Sequence, residues 1–556
     1  MERGNISVST ENIFPIIKKS LYSEQEIFLR ELVSNATDAI HKLKHLSSVG
    51  EFAGELGELK VTVSIDAEKG TLTVSDTGLG MTGEEVKKYL NQVAFSGAEE
   101  FLKKFTDAGS TSEIIGRFGL GFYSAFMVAD EVEVITQSWQ EGAQAVKWIC
   151  DGTTTYSIED TTREGRGTDV VLHLSEDCKD YLEDIRIRTI LTKYCRFLPF
   201  PIFFGEEMVN NPNPIWKKNP TELSDEDYLE LFHDLYPGAE DPLFWIHLNV
   251  DYPFNLIGVL FFPKIRRDID PRRNQIQLYS RQVFITDEVS QIVPDYLMLL
   301  QGVIDSPDIP LNVSRSYLQG DPNVKKISSY ITRKVADKLQ EIFREDRSKF
   351  EEKWADISVF VKYGMMTDDK FYERAEKFCL IENTEHQLFT IAEFKEKISA
   401  TQTDKDEQLV LLYTSDEKTQ NLFVQASLDK GYQVLVMDGV LDPHFIGLLE
   451  RKMEKNRWVR VDSDTPDKLI QKAESEDTAG IELSEEQNKR VQEAFQQALD
   501  ERKGMIVTTQ ALGAEQLPVL ITRPEFMRRM RDMAAVGGGG MDFFANQPEM
   551  LNLVVN

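Results

Sequence analysis

Glu31, Asn35, Asp38 and Lys42 follow one another at intervals of four, three and four residues. At about 100° per residue these four side chains share one narrow stripe of a helix. Phe28, Leu29, Leu32, Val33, Ala36, Ala39, Ile40 and Leu43 occupy the rest of its surface. A carboxylate, an amide, a second carboxylate and an ammonium in that arrangement can hold a metal ion and activate a water molecule. The same ladder is also what the solvated face of an amphipathic helix looks like, and the helix alone does not choose between the two.

Three glycine-bearing segments downstream bear on that choice. Asp76-Thr77-Gly78-Leu79-Gly80-Met81 follows a strand-like alternation at Leu72 and Val74. An aspartate at a strand end, before a loop that can pass close to a ligand, can accept a hydrogen bond from an exocyclic amine such as that of adenine. An ordinary Asp-Thr-Gly turn would read the same. Gly116-Arg117-Phe118-Gly119-Leu120-Gly121-Phe122 precedes the apolar run Tyr123 to Val128. Glycines before a helix let backbone amides point at phosphate oxygens. The polar, glycine-punctuated stretch from Gly97 to Gly116 reads as a lid. Gly165-Arg166-Gly167-Thr168 leads into a further strand. No Gly-x-x-x-x-Gly-Lys-Ser/Thr loop is present, which excludes a Walker-type ATPase.

These segments need a scaffold of mixed type. Val61, Val63 and Ile65 alternate, and across Gly70 the alternation resumes at Leu72 and Val74, which predicts a hairpin. Val132 and Val134 predict another strand and Val170 to Leu174 a further one, an α+β layer rather than a series of βαβ crossovers. Pro199, Pro201, Pro212 and Pro214 cluster at a domain boundary. Beyond it, strands are expected at Trp245 to Val250, Leu256 to Phe262 and Gln275 to Ile285, and helices through Ser328 to Phe350. A second α/β unit follows, with strands at Leu409 to Tyr413 and Tyr432 to Met437 around a helix at Thr419 to Asp429. Asp462 to Thr478 reads as a surface connection, Ser484 to Arg502 as a helix and Met505 to Thr509 as a strand.

The chain has 556 residues, too many for one core. Its formal charge of −30 repels phosphate backbones and argues against nucleic acid as a partner. Cys150, Cys178, Cys195 and Cys379 are widely spaced, which fits reduced cysteines in the cytoplasm. Neither a secretory signal nor an apolar run long enough for a bilayer is visible, so no membrane partner is expected.

The order of the segments (polar-stripe helix, Asp-x-Gly-x-Gly after a strand, glycine-rich helix start, Gly-Arg-Gly-Thr before a strand) resembles the Bergerat ATP-binding fold. Within that superfamily, Tyr22-Ser23-Glu24-Gln25-Glu26-Ile27-Phe28-Leu29-Arg30-Glu31-Leu32-Val33-Ser34-Asn35-Ala36-Thr37-Asp38-Ala39 is similar to the signature of the 90-kDa heat-shock protein family. So are Ile115 to Ser124 and Leu311-Asn312-Val313-Ser314-Arg315, and the resemblance runs through essentially the whole chain. The lack of a long charged linker between the first two domains resembles the bacterial high-temperature protein G branch. The resemblance implies an α+β multidomain chain: a Bergerat-type α/β sandwich ATPase domain over residues 1–205, an α/β middle domain over 206–465 and a partial α+β C-terminal domain over 466–556. It implies an ATP-dependent molecular chaperone that remodels non-native client proteins through a lid and domain-closure cycle. The alternatives are a DNA-handling Bergerat ATPase of the topoisomerase or mismatch-repair type, or a protein histidine kinase.

By the same resemblance Glu31 would polarise the attacking water, and Asn35 would offer its amide oxygen to Mg²⁺ on the bound ATP. Asp76 would read the adenine amine, with Gly80, Met81 and Thr168 nearby. Asp38 and Lys42 would line the sugar-phosphate side, and Gly119, Gly121 and Phe122 would belong to the phosphate loop. Arg315, accompanied by Gln319, would come from the second domain to the γ-phosphate. Phe95 stands where most members carry a lysine, Ser316 where they carry a glutamate and Arg117 where they carry a glutamine; Glu24 and Gln25 depart as well. The methionine-rich stretch Phe526 to Met533, followed by Gly537 to Gly540, and Trp216 correspond to client contacts, and co-chaperones are implied as partners. Relatives form homodimers through helices that continue further; this chain stops at Asn556, which reads as a truncation before those helices and leaves dimerisation open.

Overall fold

The computed structural model describes residues 24–92, 95, 97, 101, 114–116, 119–153, 155–264, 275–289, 292–309, 322–471, 483–499, 505–512, 517–525 and 550–556. The chain gathers into two compact units, one of Met1–Lys264 with Asp270–Ile331 and one of Ile265–Ile269 with Thr332–Asn556.

The first unit opens with the polar-stripe helix α1, Ile27–Ser48. A hairpin of β1, Val61–Asp66, and β2, Thr71–Asp76, follows as expected. Helix α2, Gly83–Leu90, starts at a reciprocal cap in which Thr82 and Glu85 satisfy each other's backbone N–H groups. Strands β3 (Ala129–Gln137), β4 (Val146–Cys150), β5 (Ser157–Asp160) and β6 (Gly167–Leu174) come next, then helix α3, Asp184–Cys195, and the short strands β7, Ile202–Phe204, and β8, Glu207–Met208. They form one sheet in the order β5-β4-β3-β6-β2-β1-β7-β8, antiparallel except where β7 joins β1. Val61, Val63, Leu72, Val74, Val132, Val134 and Leu172 share a core with Phe28, Leu32, Val33 and Ile40 of α1 and with Ile187, Ile190 and Leu191 of α3. Burial of each such side chain contributes about 1.5–3 kcal/mol, which holds α1 with one side inward and leaves its polar stripe to be covered, or not, by what comes later in the chain.

The first unit also contains helix α4, Asp225–Leu235, and a second sheet of β9 (Phe244–Val250), β10 (Leu256–Phe262), β11 (Gln275–Ser280), β12 (Val283–Thr286) and β13 (Gln301–Asp305), ordered β12-β11-β13-β10-β9. The single strand expected over 275–285 is therefore a hairpin. Its two turn residues, Arg281 and Gln282, both have positive φ, 53° and 64°. Neither is a residue type that favours this backbone, and packing compensates. The buried Gln282 donates its backbone N–H to Asp305 (2.9 Å) and its side-chain amide to the Phe197 carbonyl (2.6 Å), while Lys217 donates to its Oε1 (2.8 Å). Trp216, expected among the client contacts, is 1% exposed and packs edge-on against Phe197 at 4.6 Å. Its indole is part of the core there, not a surface contact.

Helix α5, Pro322–Glu345, contains the division between the units. In the second unit, Leu409–Thr414 and Val434–Val436 pair in parallel within a five-stranded sheet, around the helix Asn421–Asp429. The strand at Met505–Thr509 lies against Leu551–Val555, the centre of a three-stranded sheet. The expected surface connection begins inside the protein: Asp462 is buried and accepts two hydrogen bonds from the Arg460 guanidinium, at 2.5 and 2.8 Å. An acidic residue so placed is kept by its cation, which is why composition alone misread it.

Candidate nucleotide site

The stripe on α1 is not a wet face. Glu31 is 7% exposed and Asp38 5%, with Asn35 and Lys42 partly covered. Two glycine-bearing segments cover it. From one side the Ile115 and Gly116 backbone N–H groups donate to the two oxygens of Asp38, at 2.7 and 2.6 Å. Bonds of this charge-assisted kind are roughly twice as strong as neutral ones. The same segment returns at Gly121, where a Cβ would lie 2.7 Å from Glu31 Oε2 and the carboxylate would have to shift to admit it. Gly116 stands beside the same stripe, where a Cβ would lie a tight 3.2 Å from Asp38 Oδ2 and an ordinary 3.5 Å from Asn35 Oδ1.

Glu31 itself is held by its neighbour. Arg30, 1% exposed, donates to Glu31 Oε1 from Nε (3.1 Å) and Nη2 (2.9 Å) and lies over the Tyr194 ring of α3. Oε1 is thereby engaged by Arg30, and Oε2 faces Gly121. Lys42 reaches the Phe101 ring at 5.9 Å, and desolvation lowers its pKa although Asp38 and Glu85 oppose the shift.

The second segment leaves the end of β2. Asp76 is buried, its Oδ1 accepting the Gly78 N–H at 2.7 Å. Register sets Thr168 of β6 beside Asp76 of β2, and Thr136 of β3 beside Thr168. The two threonine hydroxyls share a hydrogen bond of 2.9 Å, and Met81 donates its N–H to Thr136 Oγ1 at 2.9 Å. Burial pushes the Asp76 carboxyl up to about 7, against the opposing pull of the Gly78 N–H and the Arg163 guanidinium. The Leu79 N–H reaches the Ala39 carbonyl of α1 at 3.3 Å, so this loop closes on the same helix as the first.

Gly80 makes that path possible, with φ +61° and no room for a Cβ, which would lie 1.9 Å from the Gln137 carbonyl oxygen. Gly80→Ala is expected to lower stability by about 2–4 kcal/mol, through the strained φ and the displaced strand end. A fall in the urea midpoint followed by tryptophan fluorescence would register it; an unchanged midpoint would contradict it.

The structure thus brings Glu31, Asn35 and Asp38 under Gly116 and Gly121, and sets Asp76, Thr168, Gly80 and Met81 at one sheet end beside Ala39. Gly119 lies against the backbone of Phe95, and the Phe122 ring packs on Trp148 at 5.8 Å. The helix expected after the glycines is present as a 3₁₀ helix, Gly121–Met127. Its seven residues give a weaker dipole, so the approach of backbone amides counts for more here than helix polarity. Arg315, Gln319, Ser316 and Arg117, the Leu311 to Arg315 motif, the methionine-rich stretch with its four glycines, and most of the lid segment lie outside the described residues. Sequence reasoning missed Arg30, which adjoins Glu31 in an otherwise apolar stretch, and Thr136, for which strand alternation was the one available signal.

A polar helix stripe under a glycine loop, beside a buried aspartate at a sheet end, is an arrangement that can receive a nucleotide without a Walker loop. Residues 22–167 accordingly match the family model described as histidine kinase-, DNA gyrase B- and HSP90-like ATPase. Residues 203–536 match the Hsp90 protein family, and the chain belongs to that family of ATP-hydrolysing molecular chaperones. It is 54% identical to the chaperone protein HtpG of Porphyromonas gingivalis strain W83 over 572 aligned positions, which span 100% of this chain and 83% of that protein. The HtpG of Bacteroides fragilis strain YCH46 is 52% identical with the same coverage. The mitochondrial heat shock protein 75 kDa of Rattus norvegicus is 30% identical over 94% of this chain and 75% of its own length. Among the described residues no helix is long and apolar enough to cross a membrane.

Proposed function

We propose that ATP binds over the α1 stripe, with its adenine amine donating to Asp76 and its phosphates beneath the loop that carries Gly116, Gly119 and Gly121. The observation that carries this reading is the convergence on α1 of two loops, one bearing a buried carboxylate at a sheet end and the other presenting backbone N–H groups. In it, Glu31 orients and deprotonates the attacking water, and Arg30 holds its carboxylate in place. Thr168, Gly80 and Met81 shape the adenine side, Asp38 anchors the loop, and Lys42 and Phe122 border the sugar-phosphate side.

The donors present suit Mg²⁺: Asn35 offers a hard amide oxygen beside a glycine that leaves its approach open, and Mg²⁺ takes few protein ligands when phosphates supply the rest. When bound, the ion would neutralise phosphate charge during transfer. Arg315 and Gln319 complete the site at the γ-phosphate in this reading.

A boundary near residue 205 is supported by the ATPase match ending at 167 and the Hsp90 match beginning at 203; residues 206–465 then form a middle domain and 466–556 a C-terminal one. Family membership supports non-native proteins as clients, and the four free, buried cysteines support a reducing cytoplasmic setting.

The test is steady-state ATP hydrolysis by wild type and Arg315→Ala, with and without chelation of Mg²⁺. Arg315→Ala should slow turnover by about 10³-fold or more with little loss of ATP affinity, as removing such an arginine does in related chemistry. A severe loss of affinity at an unchanged rate would contradict the assignment.

A further inference from the structure

The start of β6 meets the end of β2 beside the buried Asp76, and one side chain ties the two together: Arg163, in the connection between β5 and β6. A guanidinium has five N–H groups, and here each of them finds an acceptor. Nε and Nη2 grip the two oxygens of Asp169 side by side, at 2.9 and 2.8 Å. Nη1 donates to the Gly165 and Arg166 carbonyls, at 3.1 and 2.8 Å, and Nη2 also donates to the Asp76 carbonyl at 3.1 Å. The Arg163 side chain is 12% exposed. Gly167 lets the two backbones come this close: its φ is +126°, and a Cβ would lie 2.0 Å from the Asp76 carbonyl oxygen.

An arginine that only decorates a surface turn keeps most of its donors in water, and an ion pair there contributes about 0–1 kcal/mol. Arg163 instead commits a donor to the backbone of a residue 87 positions earlier, the one assigned above to the base. Asp76 is thereby held at both ends, its carbonyl by Arg163 and its carboxyl by the N–H groups of Gly78 and Thr168. The direction of the carboxylate is thus coupled to the turn. The same pair also sets the charge around it. Burial is the main cause of the raised Asp76 pKa; the Arg163 cation opposes that rise and the Asp169 anion adds to it.

We propose that Arg163, gripped by Asp169, is a positioning residue for nucleotide binding: it pins the turn before β6 to the end of β2 and so fixes where the Asp76 carboxylate meets the adenine amine. The proposal rests on the assignment of Asp76 to the base. The experiment is calorimetric titration of the full chain with ATP over about pH 5.5–9, comparing wild type with Arg163→Met, Arg163→Lys and Asp169→Asn. Arg163→Met leaves the Asp169 anion unopposed, so it should weaken binding at pH 8 about 10-fold and move the rise in affinity up by about half a pH unit. Asp169→Asn breaks the same grip but leaves the cation unopposed. It should weaken binding too, yet move the rise to lower pH. A merely structural clamp would move both variants the same way. Arg163→Lys keeps the cation without the fork, and should return the wild-type midpoint with only part of the affinity. Thermal melts at each pH establish that the variants are folded, and the lysine and asparagine variants carry the test should methionine prevent folding. Wild-type affinity and midpoint in the variants, or midpoints that move together, would overturn the clamp and leave Asp76 at the base. A wild-type affinity that is flat over about pH 6–8, with tight binding retained by Asp76→Asn, would overturn the Asp76 assignment and the clamp with it.

Discussion

Asp76→Asn is expected to raise the melting temperature of the nucleotide-free chain at pH 8 while abolishing measurable ATP binding. The reason lies in one buried carboxyl held up to about 7 by desolvation. Keeping it charged costs on the order of 4 kcal/mol relative to its unfolded value. Because the folded value is the higher one, the folded chain binds the extra proton. Stability from this group is therefore fully present below about pH 4 and is lost as pH rises through 7. Asparagine is neutral throughout, so it should remove that slope and stabilise the chain at pH 8 by about 2 kcal/mol. Binding changes in the opposite direction. Asp76 Oδ1 is taken by the Gly78 N–H, and the rest of the carboxylate is acceptor only. In the asparagine variant the amide oxygen must serve Gly78, which turns an NH₂ donor toward the adenine amine, itself a donor. That mismatch should cost about 100-fold or more in affinity. Wild-type affinity should rise between pH 6 and 8 as Asp76 ionises, and the variant should show no such rise. Calorimetric titration with ATP at both pH values, alongside thermal melts, checks each part. Retained tight binding by the variant would remove Asp76 from the adenine.

Glu31→Gln should bind ATP within about twofold of wild type and hydrolyse it about 10²–10⁴-fold more slowly, the usual contribution of a positioned base. Glutamine is the informative replacement because of Arg30. Its amide oxygen can still accept from the guanidinium, whereas Glu31→Ala would remove the carboxylate paired with a cation that is 1% exposed. Breaking a buried pair in that way costs about 3–5 kcal/mol, and the loss of fold would be mistaken for a loss of chemistry. Single-turnover hydrolysis and an equilibrium titration of the same preparation separate the two. Turnover at the wild-type rate would take the role away from Glu31.

Much of the scaffold is legible because it is periodic. The helical spacing of Phe28, Leu29, Leu32, Val33, Ala36 and Ile40 specifies α1, and the alternation on either side of Gly70 specifies the first hairpin. Leu256 to Phe262 is found with the bounds its apolar run implies. The errors fall where a distant contact overrides a local preference. Arg281 and Gln282 turn the chain with positive φ because Asp305, Phe197 and Lys217 satisfy Gln282, and none of these is nearby in sequence. Asp462 is a different case: its partner Arg460 is only two residues away, and the two go inside as a pair. Leu551–Val555 was not anticipated at all, being a single five-residue strand near the end of the chain whose place depends on two partners.

Residue type and spacing single out the candidate groups: the stripe on α1, the aspartate that ends β2 and the glycines of the loop. Spacing carries that information because side-chain direction in a helix or strand is a local property of the backbone. Whether the stripe is solvated or covered was decided by tertiary structure alone. Asp38 is covered by N–H groups 77 and 78 residues away, and Asp76 meets Thr168 only through strand register. Burial, and with it the raised pKa of Asp76, depends on which segments end up stacked on which, and no local pattern encodes that.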